Sequence, residues 1–272
     1  MSGSELVHGI HAVQALLERH PERVLRLRIA AGREDARVAR LLALAAAARC
    51  PVERPQASTL GRPSGEAHQG VLAEVRPQAP WTEEQLFAAL GHAGAPLLLA
   101  LDGVQDPHNL GACLRTADAC GALAVLVPRD RAAQLNPTVR KVAAGAAETT
   151  PVVVVTNLVR PLRLLKDAGF WVVGADAEAG QDADAADLTG ARVLVMGAEG
   201  AGLRQLTRQH CDLLVRLPSL GAVESLNVSV AAGMLLYEAV RQRRRAVEAV
   251  AAVPPPGADE GRGQGRKGRA SR

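Results

Sequence analysis

Six short apolar runs, at 97–101, 123–127, 152–155, 171–174, 192–196 and 213–217, recur along the chain after residue 96 and alternate with segments of helical spacing. Runs that are apolar at consecutive rather than alternate positions describe strands buried on both faces. Such strands alternating with helices predict a mostly parallel sheet covered on both sides, an α/β fold. Ligands of open α/β sheets bind outside the carboxyl ends of the strands. The chemistry is therefore expected in the loops that follow these runs. A long apolar helix from about Val228 closes the unit, and Arg241 to Arg245 mark its exit.

The first 75 residues read as a smaller α/β unit. Ile10, Val13, Leu16 and Leu17 recur at helical spacing, 24–29 alternates as a half-buried strand, 35–49 is helical again, and 70–73 is a further strand. Prolines 77 and 80 interrupt regular pairing, and a short helical pattern from Thr82 to Leu90 leads into a Gly-rich stretch. The division predicted is 1–75, a linker at 76–95, a second domain at 96–246 and a tail at 247–272. With three consecutive prolines and a Gly/Arg-rich end, that tail has too little apolar surface to order itself.

The net charge of +4 suggests an acidic partner, but residues 241–272 alone carry nine basic and three acidic side chains. The rest of the chain is slightly acidic, so bulk charge does not make its folded body a nucleic-acid binder. Five aromatic residues, Trp81, Phe87, Phe170, Trp171 and Tyr237, are too few and scattered for a base-stacking platform. Cysteines 50, 113, 120 and 211 form no CxxC pair, so they are read as small buried apolar residues, with no metal site and no disulfide framework. No apolar run approaches the length of a membrane span, and the first residues lack a secretory pattern. A cytoplasmic protein is expected.

Three loops at strand ends stand out. The first contains Asp102, Asp106, Pro107, Asn109 and Arg115. Either Asp106 or Asn109 can cap the following helix, whose apolar face is Leu110, Cys113, Leu114 and Ala117. Arg115 points away from that face, toward solvent or substrate. The second, Gly197-Ala198-Glu199-Gly200-Ala201-Gly202, permits a tight turn and close backbone approach, but its spacing is not a dinucleotide fingerprint. In the third, 217–233, Asn227 is a candidate N-cap for the last helix. Taken singly, each feature has an ordinary structural account.

In this order the three loops resemble the motifs of the SpoU, or SPOUT-class, RNA 2'-O-methyltransferases. Asn109 and Arg115 match the first motif, Gly197-Ala198-Glu199-Gly200 the second, and 225–231 the third. Similarity continues through 8–17, 68–70 and 136–148, and looks most like the branch acting on 23S ribosomal RNA. The resemblance implies a trefoil-knotted SPOUT catalytic domain, an exception to the rule against knots, preceded by a ribosomal-protein-like RNA-binding domain. It further implies a homodimer through the catalytic domains, no metal and no membrane. S-adenosyl-L-methionine is the implied cofactor, held around Gly197, Leu217 and Leu226. The implied reaction is 2'-O-methylation of a guanosine in the peptidyl-transferase region of 23S rRNA. The alternatives are a tRNA substrate or a non-catalytic RNA-binding assembly factor.

The resemblance assigns Arg115 to deprotonation of the ribose hydroxyl. Because guanidinium stays protonated, orienting the ribose or phosphate and stabilising developing alkoxide is the physical alternative. Glu199 is expected to anchor Arg115 or to act as base, with Asn109, Ser225 and Asn227 supplying positioning hydrogen bonds. Glu224 departs from the family pattern, where a small polar residue precedes Ser225.

Overall fold

The computed structural model describes residues 4–60, 70–77, 79–91, 94–222 and 225–251, residues 250 and 251 by backbone only. Glu224, His68 and Gln69, and the tail beyond Ala251 lie outside the described residues. The elements run β1 (Glu5–His8), α1 (Ile10–Arg19), β2 (Val24–Ile29), α2 (Ala36–Ala47), β3 (Val52–Glu53), β4 (Val71–Val75) and α3 (Glu83–Leu90). They continue β5 (Leu97–Asp102), α4 (Pro107–Ala119), β6 (Ala124–Pro128), α5 (Pro137–Ala143), α6 (Ala146–Thr149), β7 (Val152–Val155), α7 (Val159–Asp167) and β8 (Trp171–Ala175). β9 (Arg192–Gly197), α8 (Gln205–His210), β10 (Leu213–Val215) and α9 (Val228–Ala251) complete the order.

The six apolar runs form one sheet in the order β10-β8-β9-β5-β6-β7, with every pairing parallel. Consecutive residues of β5 bury completely because helices cover both faces. On one side α4, α5 and α9 contribute Leu110, Leu114, Val139 and Leu235; on the other, Leu86 of α3 and Leu162 and Leu165 of α7 close a second core layer. All six strands point the same way, so their carboxyl ends bring the three motif loops to one edge.

The first unit holds a separate four-stranded sheet, β1-β4-β2-β3, in which only β2 and β3 are parallel. The periodicity showed α1, β2, α2 and β4; β1 and β3, four and two residues long, were too short to register. Two further differences concern boundaries. Trp81 bridges to Val153 of β7 and Leu86 is buried in the large core, so 81–90 packs as part of the second unit. A capping box between Thr82 and Gln85 starts that helix. The last helix also runs past its arginines to Ala251, because Ala246, Val247 and Glu248 contain no breaker.

The two units meet through a buried ionic chain. Arg23 donates to Glu148 at 2.9 Å, Arg140 pairs with the other oxygen of Glu148, and Arg140 also lies 3.3 Å from Glu5. A cavity of about 510 Å³ lies beside this chain between β1–α1 and α5–α6. Gly145, with φ 103°, permits the contact, since a Cβ there would sit 2.9 Å from Ala12 Cα.

Candidate active site

Asp106, not Asn109, caps α4: its carboxylate accepts the His108 N–H at 2.9 Å, and Pro107 occupies the first helical position. That backbone bond holds the Asp106 carboxyl below its ordinary pKa. Asn109, two residues into the helix and buried, is left for another task. Leu110, Cys113, Leu114 and Ala117 form the buried face as expected, and Arg115 is exposed.

The second motif folds into a closed turn after β9. Ala198 and Gly202 exchange both backbone hydrogen bonds, at 3.0 and 2.9 Å, with Gly200 and Gly202 at positive φ. A Cβ on Gly197 would lie 2.1 Å from the Gly202 carbonyl carbon, so the close approach requires glycine there. The turn lifts Glu199 off the sheet edge toward the start of α9.

There the three motifs converge. Glu199 Oε1 accepts from Asn109 Nδ2 at 3.0 Å, from Asn227 Nδ2 at 2.6 Å and from the Val228 N–H at 3.4 Å. Asn227 Nδ2 also donates to Asn109 Oδ1 at 2.9 Å. With its own oxygen Asn227 caps α9, accepting from the Ser229 N–H at 2.9 Å and the Ser229 hydroxyl at 2.6 Å. The positive end of the α9 dipole favours a carboxylate at this place. Among the described residues no donor is directed at Glu199 Oε2.

The remaining expected residues lie around this junction without joining it. Arg115 makes no ion pair or side-chain hydrogen bond among the described residues, so the expected Arg115–Glu199 contact is not formed. The reason is helical geometry: six residues beyond Asn109, Arg115 is about 9 Å along the axis and on a different face. Ser225 is exposed. Leu217 follows β10 and packs against the core, while Leu226 is 38% exposed.

One functional element carried no assignment in the sequence. Asp102, at 1% exposure, accepts the Arg204 backbone N–H at 2.9 Å, and the Arg204 guanidinium lies 3.5 Å from it. This contact ties the end of β5 to the turn after β9. A carboxylate closing an otherwise apolar strand was the available signal. Of the cysteines, Cys50 and Cys113 are buried but Cys120 and Cys211 only partly so, because they flank helix ends rather than helix faces. Burial pushes the Cys113 and Cys211 thiols up to about 12.

The site suits S-adenosylmethionine on the chemistry of its walls. The turn at 197–202 offers main chain that a ligand can approach closely, and the irregular loop at 217–222 continues that surface. Leu220, fully exposed, and Leu226 present apolar surface of the kind an adenosine ring covers. Glu199 brings a carboxyl group to this edge, a side chain that suits a sulfonium cation.

The family model for the SpoU rRNA Methylase family matches residues 96–237, and that for the RNA 2'-O ribose methyltransferase substrate binding domain matches residues 6–81. The chain is 55% identical over 245 residues to 23S rRNA (guanosine-2'-O-)-methyltransferase RlmB of Pseudomonas putida, covering 90% of this chain and 99% of the relative. With the RlmB of Escherichia coli K12 it shares 51% over 241 residues, 88% of this chain and 99% of that one. Among solved structures it is similar to the SpoU methyltransferase AviRb from Streptomyces viridochromogenes in complex with the cofactor AdoMet. That likeness has a TM-score of 0.71 at 27% identity, over 89% of this chain and 92% of the other. A family model spanning more than half the residues, joined by relatives above half identical along nearly all their length, establishes that the chain belongs to the SpoU rRNA Methylase family.

Proposed function

We infer that this protein methylates the 2'-oxygen of a guanosine ribose in 23S rRNA, using S-adenosylmethionine. The observation that carries the reading is the junction of Asn109, Glu199 and Asn227, which joins all three motifs at the carboxyl edge of the sheet. Family membership and the relatives' named activity supply the substrate class.

The cofactor, when bound, supplies an electrophilic methyl on a sulfonium. Gly197, Leu217 and Leu226 are the residues we place around it. For the ribose oxygen to take that methyl, its hydroxyl proton would have to leave. Glu199 Oε2 is the acceptor that the geometry offers, since Oε1 is committed to three donors. Asn109 and Asn227 hold that carboxylate in one orientation. Ser225, exposed beside Leu226, hydrogen-bonds the ribose. Arg115 is free to bind the ribose or the adjacent phosphate and to stabilise developing negative charge.

The division into an RNA-binding domain at 1–75, a linker at 76–95 whose helix packs on the second unit, a knotted catalytic domain at 96–246 and a basic tail from 247 whose first residues continue α9 is part of the same reading. So is a homodimer through the catalytic domain. Val230, Met234 and Tyr237 are exposed at helical spacing along α9, an apolar stripe suited to a second copy. α9 packs on α4 beside Arg115, with Gly233 against Thr116. Among the described residues no helix is long and apolar enough to cross a membrane; we read the protein as cytoplasmic, with the ribosomal RNA it modifies.

The test is incubation with labelled S-adenosylmethionine and unmodified 23S rRNA, followed by mapping of 2'-O-methyl groups. One methylated guanosine in the peptidyl-transferase region is expected. Transfer to tRNA instead would overturn the substrate, and no cofactor binding by calorimetry would leave an RNA-binding assembly factor.

A further inference from the structure

The loop that leaves β6 is built more elaborately than a connection requires. The two N–H groups of Gln134 Nε2 are shared among three carbonyls, that of Pro128 at 2.8 Å and those of Arg129 and Ala132 at 3.3 Å each. Arg131 is held at φ 55°, left-handed backbone that an L-residue with a side chain rarely adopts. Its carbonyl receives the Arg204 guanidinium at 3.5 Å. The Ala133 N–H donates to Val104 at 2.8 Å, joining this loop to the one carrying the first motif. Held this way, Arg129 and Arg131 are exposed and have no ion pair among the described residues. Asp130, between them, is exposed as well.

We propose that Arg129 and Arg131 form a phosphate-binding step for the RNA substrate, held in place by Gln134 and Arg204. The inference rests on the reading that this protein binds ribosomal RNA. Position supports it. One end of the loop touches Val104 and Arg204 at the active-site edge; the other, at Leu135, Asn136 and Pro137, borders the cavity against β1 and α1. An RNA strand held by the first unit and reaching the motif loops passes over this segment. Arginine's planar fork suits a phosphate, and a left-handed backbone maintained by side-chain hydrogen bonds from Gln134 and Arg204 is the kind of local cost found where geometry serves binding.

The test compares RNA affinity across a salt series, and methyl transfer, for the wild type and the R129Q/R131Q double variant, both with 23S rRNA. Neutralising two phosphate contacts lowers the slope of log affinity against log salt by roughly 0.7 to 0.9 for each contact. The KM for RNA should rise by about tenfold. The kcat at saturating RNA and the affinity for S-adenosylmethionine should stay unchanged. Arg131→Lys should retain its share of the salt slope; Arg131→Gly, which relieves the backbone, should lose that share while raising Tm. Asp130→Asn should tighten binding at low salt. A folded double variant with wild-type slope and KM overturns the inference, as does one whose cofactor affinity falls. If the wild type does not methylate 23S rRNA, the functional reading fails, and the salt slopes still decide whether these arginines bind RNA.

Discussion

The side-chain amide of Asn227 spans Asn109 and Glu199, 2.9 Å from the oxygen of one and 2.6 Å from the carboxylate of the other. Its oxygen meanwhile caps α9. One residue thus ties the last helix to the Glu199 carboxylate, and the two jobs separate by mutation. Asn227→Asp keeps the cap but sets a second carboxylate against Glu199, so methyl transfer should fall by roughly 100-fold or more with Tm little changed. Asn227→Ala should lose activity and also about 1 kcal/mol of stability. Single-turnover assays beside thermal melts decide; an active Asn227→Asp enzyme would remove the junction from the mechanism.

Arg115 is exposed and has no ion pair among the described residues. Arg115→Ala is expected to abolish methylation while leaving Tm within a degree or two, as for ordinary surface substitutions. Near-normal turnover at saturating cofactor would show that another group handles the ribose.

The Arg23–Glu148–Arg140 chain is buried where the two units meet. Glu148→Ala removes the carboxylate that Arg23 and Arg140 share, and although Arg140 keeps Glu5 at 3.3 Å, it should cost about 3 kcal/mol. Limited proteolysis should then cut first between the units, near residues 76–80, while calorimetric binding of S-adenosylmethionine persists. Simultaneous loss of cofactor binding would mean that the second unit itself had been disrupted.

Gly197 has no room for a side chain: a Cβ would meet the Gly202 carbonyl carbon at 2.1 Å, against backbone that cannot swing aside. Gly197→Ala should therefore open the Ala198–Gly202 turn, displace Glu199 and weaken cofactor binding by at least tenfold, about 1.4 kcal/mol. Wild-type affinity in this variant would place the cofactor elsewhere.

Burial holds the Cys113 and Cys211 thiols neutral, with their pKa raised from 9.0 to about 12. A thiol whose folded pKa is raised contributes stability that is fully present below about pH 9 and lost as pH climbs toward 12. Denaturant midpoints should fall across that window, and Cys113→Ala with Cys211→Ala should flatten the dependence. Rapid alkylation of both thiols in the native protein at pH 8 would contradict the burial.

The large sheet is legible in the sequence because burial on both faces keeps the interiors of strands such as β5 and β9 apolar at consecutive positions, with charge only at an end, Asp102 in one and Arg192 in the other. The helix faces of α1 and α4 were legible for the related reason that only one side is buried. So were the ordered motifs, since Asn109, Gly197 and Asn227 stand in the order and among the neighbours of the family pattern that the chain resembles. Local pattern left open whether Asp106 or Asn109 capped α4, because either can reach a free N–H; only the fold, by placing Glu199 over Asn109, settled it. The same holds for the pairing of Arg204 with Asp102 and of Arg23 with Glu148, residues separated by 102 and 125 positions. Apolar positions, helix faces and the glycines at the turn after β9 are written in the chain, since they follow from each residue's own chemistry and near neighbours. Which polar groups meet at the site was decided by the order of strands in the sheet, because hydrogen bonds act over about 3 Å and only tertiary structure brings distant residues that close.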